Sequence, residues 1–227
     1  MRVRLASLPD GIFCACDFLE HDGHSNKLYR LDVKLEKRGD QLTIDLSGSS
    51  KQAPGFINST RSGLAGAVSG SVLPTLAYDM QWNEGALNPV EIVAPDGLVC
   101  TATFPAPVGS ATVETIWVTG NAIMLALNKM LAAAPQTSYR AQGVNDGAMA
   151  TFNLGGVNQF GENFGLHLMD PLAGGSAAFA DKDGVNAGGP ITSPMSAIAD
   201  VERNEQVVPL FYLHRKLAID TGGAGEY

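Results

Sequence analysis

The sequence from Arg30 to Gly48 is RLDVKLEKRGDQLTIDLSG, and it contains two short runs in which apolar and polar residues alternate. Apolar residues occupy every second position from 31 to 35 and again from 42 to 46. An alternation with a period of two is typical of strands that bury one face. Arg38-Gly39-Asp40 supplies turn-forming residues between the two runs. The stretch therefore predicts a β-hairpin over Tyr29–Leu46.

Two longer segments have the pattern of helices. Residues 59–78 are rich in small residues, including Ala65, Gly66 and Gly70. Because glycine lowers intrinsic helicity, a helix of this kind persists where small residues allow close packing. We therefore expect this helix to be buried.

The second helix is predicted over residues 113–134, where apolar side chains recur at spacings of three and four. Thr112 is the expected N-cap, which would put Glu114 in the first turn, where the helix dipole favours a carboxylate. Lys129 lies near the other end, and Pro135 stops the helix.

Shorter apolar runs bounded by turn residues predict further strands. With the hairpin and the two core helices, they indicate an α+β fold rich in antiparallel strands. We expect residues 1–227 to form a single region. The additional predicted strands are Ile12–Leu19, Pro89–Ala94, Leu98–Thr103, Ala150–Leu154, Asn163–Met169 and Val207–Ala218.

Charge and composition exclude several classes of function. The chain has 23 Asp and Glu against 15 Lys and Arg, and its densest basic segment, Lys27–Arg38, alternates cations with acids. Nucleic-acid binding requires clustered cations, so it is not expected. No run resembles a membrane span, and the first residues lack the apolar core of a signal peptide. Three Cys imply no disulfide framework, so we expect a cytoplasmic protein.

Two short clusters contain residue types that bind metals, and in both a structural role is favoured. His21-Asp22-Gly23-His24, with Asp17 and Glu20 nearby, could ligate zinc or manganese, but a solvated turn is the simpler interpretation. Cys14-Ala15-Cys16 has the wrong spacing for a CxxC site, and these thiols and Cys100 are interpreted as buried small residues. The sequence contains no GxSxG, HExxH or Walker motif.

Five residues are candidates for a functional site. Glu84 and Glu114 each follow turn formers and precede apolar structure, and a carboxylate that faces a cleft can act as an acid or base. Asn58 and Arg61, at the start of the first helix, could hold a substrate carbonyl or carboxylate, and Asn83 is a further substrate-binding candidate. The structural alternatives are a first-turn role for Glu114, turn-stabilising hydrogen bonds for Asn83 and Glu84, and a surface ion pair for Arg61.

Short motifs occur in a fixed order along nearly the whole chain, and they are densest in residues 83–97 and 105–115. They comprise Pro9-Asp10-Gly11, residues 45–50 with Gln52, residues 55–58, Asn83-Glu84-Gly85, Asn88-Pro89, residues 94–97, Pro105-Ala106-Pro107, Val113-Glu114-Thr115, residues 153–156 and residues 220–225. In this combination and order, the sequence resembles the hydantoinase B/oxoprolinase family.

This resemblance implies a small-molecule substrate and part of an ATP-dependent enzyme that opens cyclic amides such as hydantoins and 5-oxoproline. A hydantoinase A-type partner would use ATP and Mg²⁺ to phosphorylate the substrate oxygen, so the chain would belong to a hetero-oligomer. In relatives, residues associated with a divalent metal (Zn or Mn) precede the region that this chain resembles, and no cofactor is expected within the chain. The resemblance therefore implies the central to C-terminal part of a longer polypeptide of the B type.

Two alternatives remain open. Many ring-opening members carry a His-Thr-His stretch before the last strands, whereas residues 184–202 here contain no His. This difference leaves open a subunit of an acetone- or acetophenone-type carboxylase. The second alternative is a noncatalytic assembly module, in which the small-residue helix from Ser59 would be a docking surface.

Overall fold

The computed structural model describes residues 1–143, 152–168, 176–184, 200–216 and 219. These residues fall into two compact units. The first contains residues 1–143 with Phe179–Asp181, and the second contains the remaining described residues. None of the helices in the described part of the chain is long and apolar enough to cross a membrane.

The first unit is built on a four-stranded sheet in the order β1-β2-β3-β4. β1–β2 and β2–β3 are antiparallel, and Gly39, with φ of 57°, lies in the tight turn between β2 and β3. This confirms the predicted hairpin. The strands are β1 (Gly11–Leu19), β2 (Tyr29–Arg38), β3 (Gln41–Asp45) and β4 (Val90–Val93).

The alternating residues of the hairpin form the centre of the core. Leu31, Val33 and Leu35 of β2 are fully buried, as are Leu42 and Ile44 of β3. Burial of one such side chain stabilises the fold by roughly 1.5–3 kcal/mol relative to leaving it exposed. The sheet therefore has one face directed into the core, as the period of two predicts.

A lysine extends the buried row of β2. The side chain of Lys37 is 1% exposed, and its Nζ donates to Asp10 Oδ1 at 2.6 Å. The same oxygen accepts from the Gly39 backbone N–H at 2.9 Å. This ion pair holds the pKa of the Asp10 carboxyl below its usual range. Asp10 thereby joins the start of β1 to the β2–β3 turn.

The helices of the first unit are α1 (Arg2–Ala6), α2 (Arg61–Leu76), α3 (Thr115–Ala132) and α4 (Pro135–Ser138). α3 packs against β1, β2 and α2. At the helix–helix contact, the Ser71 hydroxyl donates to the Gly120 carbonyl at 3.1 Å. The α+β class and the two core helices are thus confirmed, and the parallel pairing of β3 with β4 adds one non-antiparallel contact to the sheet.

Burial of α2 is less complete than the small residues predicted. Its apolar side chains, such as Leu64, Val68 and Val72, are buried, but Ala65 and Gly66 are exposed. Only the face toward α3 needs close packing, so the small residues on the opposite face are not required for it.

The predicted strand Leu98–Thr103 is wrong. Gly97 N–H donates to the Thr101 carbonyl at 2.9 Å, and Thr101 N–H donates to the Leu98 carbonyl at 3.0 Å, so the segment is a compact turn. Leu98 and Val99 are buried because this turn packs into the core. An apolar run indicated burial correctly but did not specify the backbone conformation.

The second unit contains an antiparallel hairpin of β5 (Phe152–Val157) and β6 (Asn163–Leu168), followed by α5 (Val201–Val207). Both strands of the hairpin were predicted, although residues 150, 151 and 169 of those predictions lie outside the described residues. The predicted strand Val207–Ala218 is wrong over residues 207–216, because Val207 ends α5 and no strand follows it there, and residues 217 and 218 lie outside the described residues. There, Tyr212 N–H donates to Glu205 Oε1 at 2.7 Å, which folds this segment back onto α5.

Candidate functional site

β1 and α3 run in opposite directions, and polar side chains link them along their length. Lys129, in the last turn of α3, donates to the Cys14 carbonyl at 2.7 Å. Further along, Asn121 hydrogen-bonds Asp17. Near the start of α3, His21, in the loop that follows β1, acts electrostatically on Glu114. We call this series of interactions between α3 and β1 with the loop that follows it the polar seam.

Asp17 is the carboxyl in the middle of the polar seam. Burial raises its pKa, although hydrogen bonds from the Phe18 N–H and from Asn121 act in the opposite direction. The Phe18 N–H lies 2.8 Å from Asp17 Oδ1. Asn121 itself is 4% exposed. Asp17 is therefore a partly buried carboxyl that is hydrogen-bonded by the Phe18 N–H and by Asn121.

Glu114 is the carboxyl at the N-terminus of α3, and its environment differs from that of Asp17. It occupies the N-cap position, but its side chain makes no capping hydrogen bond. Burial raises its pKa, and His21 partly offsets this effect. A half-buried carboxyl that does not serve as a cap is available for proton transfer.

The expected N-cap at Thr112 is wrong, and so is the placement of Glu114 in the first turn. Val113 and Glu114 donate their N–H groups to the Ser110 carbonyl at 3.2 and 3.0 Å. These bonds form a separate turn before the helix, so α3 begins only at Thr115. The predicted boundary at residue 113 is too early by two residues.

Two other polar atoms of α3 are buried without a hydrogen-bond partner in the described part of the chain, namely Trp117 Nε1 and Thr119 Oγ1. Buried polar groups are normally paired, because an unmade hydrogen bond costs about 1–3 kcal/mol. α3 therefore holds buried polar groups that its packing against the described residues does not satisfy. The signal visible in the sequence was the presence of Thr115, Thr119, Asn121 and Asn128 in an apolar helix.

Asn58, predicted to bind substrate, is fully buried and is engaged by the backbone. Its Oδ1 accepts from the Ala53 N–H at 2.6 Å, and its Nδ2 lies 2.9 Å from the carbonyls of Ala53, Gly55 and Pro107. These contacts join the segment around Asn58 to the segment that leads to Glu114. Substrate binding by Asn58 stays a prediction, and the contacts give it a definite structural role.

Arg61, also predicted to bind substrate, starts α2 and faces the block that follows β4. Its guanidinium donates to the Ala94 carbonyl at 2.6 Å and to Asp96 Oδ1 at 2.9 Å. The side chains of Arg61 and Asp96 are 57% and 72% exposed. The surface ion pair considered as an alternative is therefore present, and substrate binding stays a prediction.

Asn83 and Glu84 lie in a separate turn. The Asn83 side chain caps a 3-10 helix, Glu84–Leu87, by accepting from Ala86 N–H at 3.2 Å. Glu84 is exposed in the first turn of that helix. Among the described contacts, none joins this turn to Glu114. The structure thus brings Asn58 and Glu114 into adjoining segments but does not join them to Asn83 and Glu84.

The His and Cys clusters do not form a metal site in the part of the chain that the structure describes, where no three His, Cys, Asp or Glu side chains are grouped suitably. Asp22 is not a solvated turn residue, since it is fully buried and accepts from Ser25 N–H at 2.7 Å and from Tyr29 OH at 2.8 Å. The interpretation of Cys14 and Cys16 as buried is also wrong, because Cys14 is exposed and Cys16 is only partly buried. Cys100 is buried as expected, and burial raises its pKa to about 11.

The motif order and this fold agree with a comparison with protein families, in which the model for hydantoinase B/oxoprolinase matches residues 1–227. The chain belongs to the hydantoinase B/oxoprolinase family. This hydantoinase B-family chain is 29% identical over its whole length to the beta subunit of caprolactamase from Pseudomonas jessenii, of which it covers 38%. It is 31% identical over 82% of its length to the B-type subunit of a putative D-/L-hydantoinase from Pseudomonas sp. strain NS671, of which it covers 32%. It therefore spans only a minor part of either relative.

Two solved structures share the fold. A nucleotide-free structure of acetone carboxylase superposes on 90% of the hydantoinase B-family chain with a TM-score of 0.81 at 18% identity, and the match covers 29% of that protein. The crystal structure of ATP-dependent caprolactamase from Pseudomonas jessenii superposes on 92% with a TM-score of 0.75 at 24% identity, and the match covers 35% of that protein. At these identities the likeness establishes the fold.

Proposed function

We propose that this chain is part of the B-type subunit of an ATP-dependent enzyme that opens a cyclic amide of the hydantoin, 5-oxoproline or lactam type. The observation that carries the proposal is the family match over residues 1–227. The two curated relatives support it, because one is named as a caprolactamase component and the other as a putative hydantoinase component.

The proposed reaction is divided between two polypeptides. A hydantoinase A-type partner uses ATP and Mg²⁺ to phosphorylate the amide oxygen, which makes the ring carbon susceptible to attack by water. Both relatives are named as one subunit of a larger enzyme, which supports such a hetero-oligomer. The B-type part positions the activated ring and moves the protons.

Glu114 is the residue that we assign to proton transfer. Its carboxyl is half-buried at the start of α3, and burial raises its pKa. A raised pKa brings a carboxyl closer to the range in which it can both accept and donate a proton. In the proposed step, the carboxylate accepts a proton from the attacking water and returns it to the ring nitrogen as the C–N bond breaks. A second water then hydrolyses the resulting acyl phosphate.

Arg61 is the residue that we assign to a charged substituent of the substrate. Its ion pair with Asp96 is exposed on both sides, and exposed pairs contribute only about 0–1 kcal/mol to stability. A substrate carboxylate could therefore replace Asp96 at the guanidinium with little loss of stability. The parallel N–H groups of a guanidinium can donate to both oxygens of a carboxylate at once.

The test is an assay of ATP hydrolysis by the polypeptide that contains this chain, co-expressed with a hydantoinase A-type partner. We expect ATP hydrolysis to depend on an added hydantoin, 5-oxoproline or caprolactam and to accompany formation of the ring-opened product. Dependence on a ketone and bicarbonate instead would support a role in a carboxylase. The proposal fails if no cyclic amide stimulates ATP use, and it would then leave the assembly module as the interpretation.

A further inference from the structure

Phe56 lies in a turn whose backbone is fixed by two other segments of the chain. The buried Asn58 donates from Nδ2 to the carbonyls of Gly55 and Pro107, each at 2.9 Å. Gly55 packs against the loop between β1 and β2, because a Cβ placed on it would lie 1.6 Å from the Asp22 carbonyl oxygen. The backbone position of Phe56 therefore does not depend on its own side chain.

The ring of Phe56 packs against Gly23 in the same loop. A Cβ placed on Gly23 would lie 2.3 Å from Cε1 of the ring, and the φ of Gly23 is 89°, so glycine is required there on both counts. Phe56 is nevertheless 44% exposed. One part of the ring is thus held against the loop, and the remainder is open to solvent.

Ser110 connects Phe56 to Glu114. Ser110 N–H and the Ser110 hydroxyl donate to the Phe56 carbonyl at 3.0 and 3.3 Å. The Ser110 carbonyl accepts from Glu114 N–H at 3.0 Å. The residues that follow also meet, since Thr115 Oγ1 donates to the Ile57 carbonyl at 2.5 Å. Phe56 and Glu114 are therefore neighbours in space although they are distant in the sequence.

The loop between β1 and β2 lies beside both residues. Gly23 contacts the Phe56 ring, and His21 acts electrostatically on Glu114. Glu114 is, like Phe56, only partly buried. An apolar ring that is held in place and a partly exposed carboxyl therefore adjoin the same loop.

We propose that Phe56 is a substrate-binding residue, and that the apolar part of a cyclic amide packs on its exposed ring while the amide group lies at Glu114. The inference rests on the proposed function, to which it adds a determinant of substrate choice. Methylene groups that leave water for an aromatic surface gain free energy in proportion to the area buried. Because the ring is already held in place, little conformational entropy is lost when the substrate binds.

Substrates of the proposed class differ in the apolar surface that they offer to this ring. Apart from the carbonyl carbon, every ring carbon of caprolactam is a methylene, whereas hydantoin has a single methylene between polar groups. The affinity for caprolactam should therefore depend on Phe56 more strongly than the affinity for hydantoin does. A residue that only supports the fold would affect both affinities alike.

The test replaces Phe56 by an apolar and a polar side chain of similar size, in the complex with the partner. Calorimetry without ATP measures the affinities for caprolactam and for hydantoin. We expect Phe56→Leu to keep most of the affinity for caprolactam, and Phe56→Gln to lower it about tenfold with a smaller change for hydantoin. Incomplete folding of a variant changes the measured stoichiometry and leaves the affinity of the folded protein readable.

Phe18→Gln is the control, since Phe18 is 45% exposed but lies on the face of β1 opposite to Asp17 and the core. We expect it to keep the affinities of the parent. The inference is overturned if neither amide binds to the parent complex, or if Phe56→Gln binds caprolactam as tightly as Phe56→Leu does. An equal loss for both amides in Phe56→Gln, or the same loss in Phe18→Gln, also overturns it. If amides bind as expected but none stimulates ATP hydrolysis, the proposed function fails and the role of Phe56 in binding stands.

Discussion

Glu114 is partly buried and makes no capping hydrogen bond. Its replacement should therefore change the catalytic rate without a loss of folding stability. We expect Glu114→Gln to lower kcat of the complex by about 10²- to 10⁴-fold, the usual contribution of general acid–base catalysis. The melting temperature should stay the same or rise, because burial disfavours the charge that is removed. The measurements are steady-state kinetics and thermal unfolding.

Glu84→Gln is the matched control for this prediction. Glu84 lies exposed in the first turn of a 3-10 helix, so we expect its replacement to change kcat little. Full activity in Glu114→Gln would remove Glu114 from the reaction. A comparable loss in both variants would show instead that both carboxylates predicted from the sequence take part.

Asn58 offers a second test at the level of single residues. Its amide is buried and bonds to backbone groups of three other residues, so Asn58→Ala should destabilise the protein by about 2–4 kcal/mol through unpaired polar groups. Urea unfolding measures this loss. A raised KM with unchanged unfolding free energy would contradict the structural role and support the substrate-binding role predicted from the sequence.

Sequence reasoning identified Glu114 as a candidate but could not place it. Its turn-forming neighbours were visible, whereas its partial burial depends on packing between segments distant in the chain. Asn121 and Asp17 show the same limit, since their hydrogen bond joins a helix to a strand that precedes it by many residues. Residue type suggests which chemistry is possible, and tertiary contacts decide which side chains meet.

Among the secondary-structure elements, the hairpin was predictable because its signal is local. β2 and β3 are adjacent in sequence, and their alternation specifies both period and buried face. The parallel pairing of β3 with β4 had no such signal, because α2 lies between these two strands. The turn at Leu98 was missed for a related reason, since burial of an apolar run is compatible with several backbone conformations.

α2 permits a prediction with an internal control. A Cβ on Gly66 would meet open space, so Gly66→Ala should stabilise the protein by about 0.5–1 kcal/mol through higher helix propensity. A Cβ on Gly63 would lie 2.2 Å from Ser59 Oγ and 2.8 Å from Ile116 Cδ1, so Gly63→Ala should destabilise it. The two unfolding free energies should therefore change in opposite directions.

Gly66→Ala and Gly63→Ala also test the alternative that the chain is a noncatalytic assembly module. If Gly66→Ala raises the unfolding free energy but weakens binding of the partner polypeptide, the exposed side of α2 is a docking surface. Stabilisation in both variants would instead contradict the close approach of α2 and α3 around Gly63 and Ile116.

At the scale of the whole molecule, the described carboxyls whose pKa values are shifted form two groups with opposite effects on stability. Asp17 and Glu114 have raised pKa values because of burial. The other group has lowered pKa values because each carboxylate is hydrogen-bonded or ion-paired in the folded chain. Its members are Asp10, Asp22, Asp40, Asp45 and Asp79.

These two groups predict how stability depends on pH. Below the ordinary Asp pKa of 3.8, the unfolded chain binds protons that Asp22 in the folded chain does not, so the unfolding free energy falls with falling pH. Asp17 and Glu114 act in the opposite direction. Above their ordinary values of 3.8 and 4.5, the folded chain keeps protons that the unfolded chain has lost, so stability falls as pH rises through this window. The stability that the lowered-pKa group and the raised-pKa group contribute together is therefore largest in mild acid.

The difference in melting temperature between a variant and the parent, followed across pH, isolates the replaced carboxyl, because all other titrating groups are the same in both proteins. Melting temperatures of Asp22→Asn, Asp17→Asn and Glu114→Gln should be compared with the parent across the acid range. We expect Asp22→Asn to be most destabilising near neutral pH and progressively less so in acid, where the parent loses the same charge. We expect Asp17→Asn and Glu114→Gln to gain stability relative to the parent as pH rises. A constant difference at all pH values for Glu114→Gln would contradict its raised pKa, because only a group whose pKa differs between the folded and unfolded chain makes stability depend on pH.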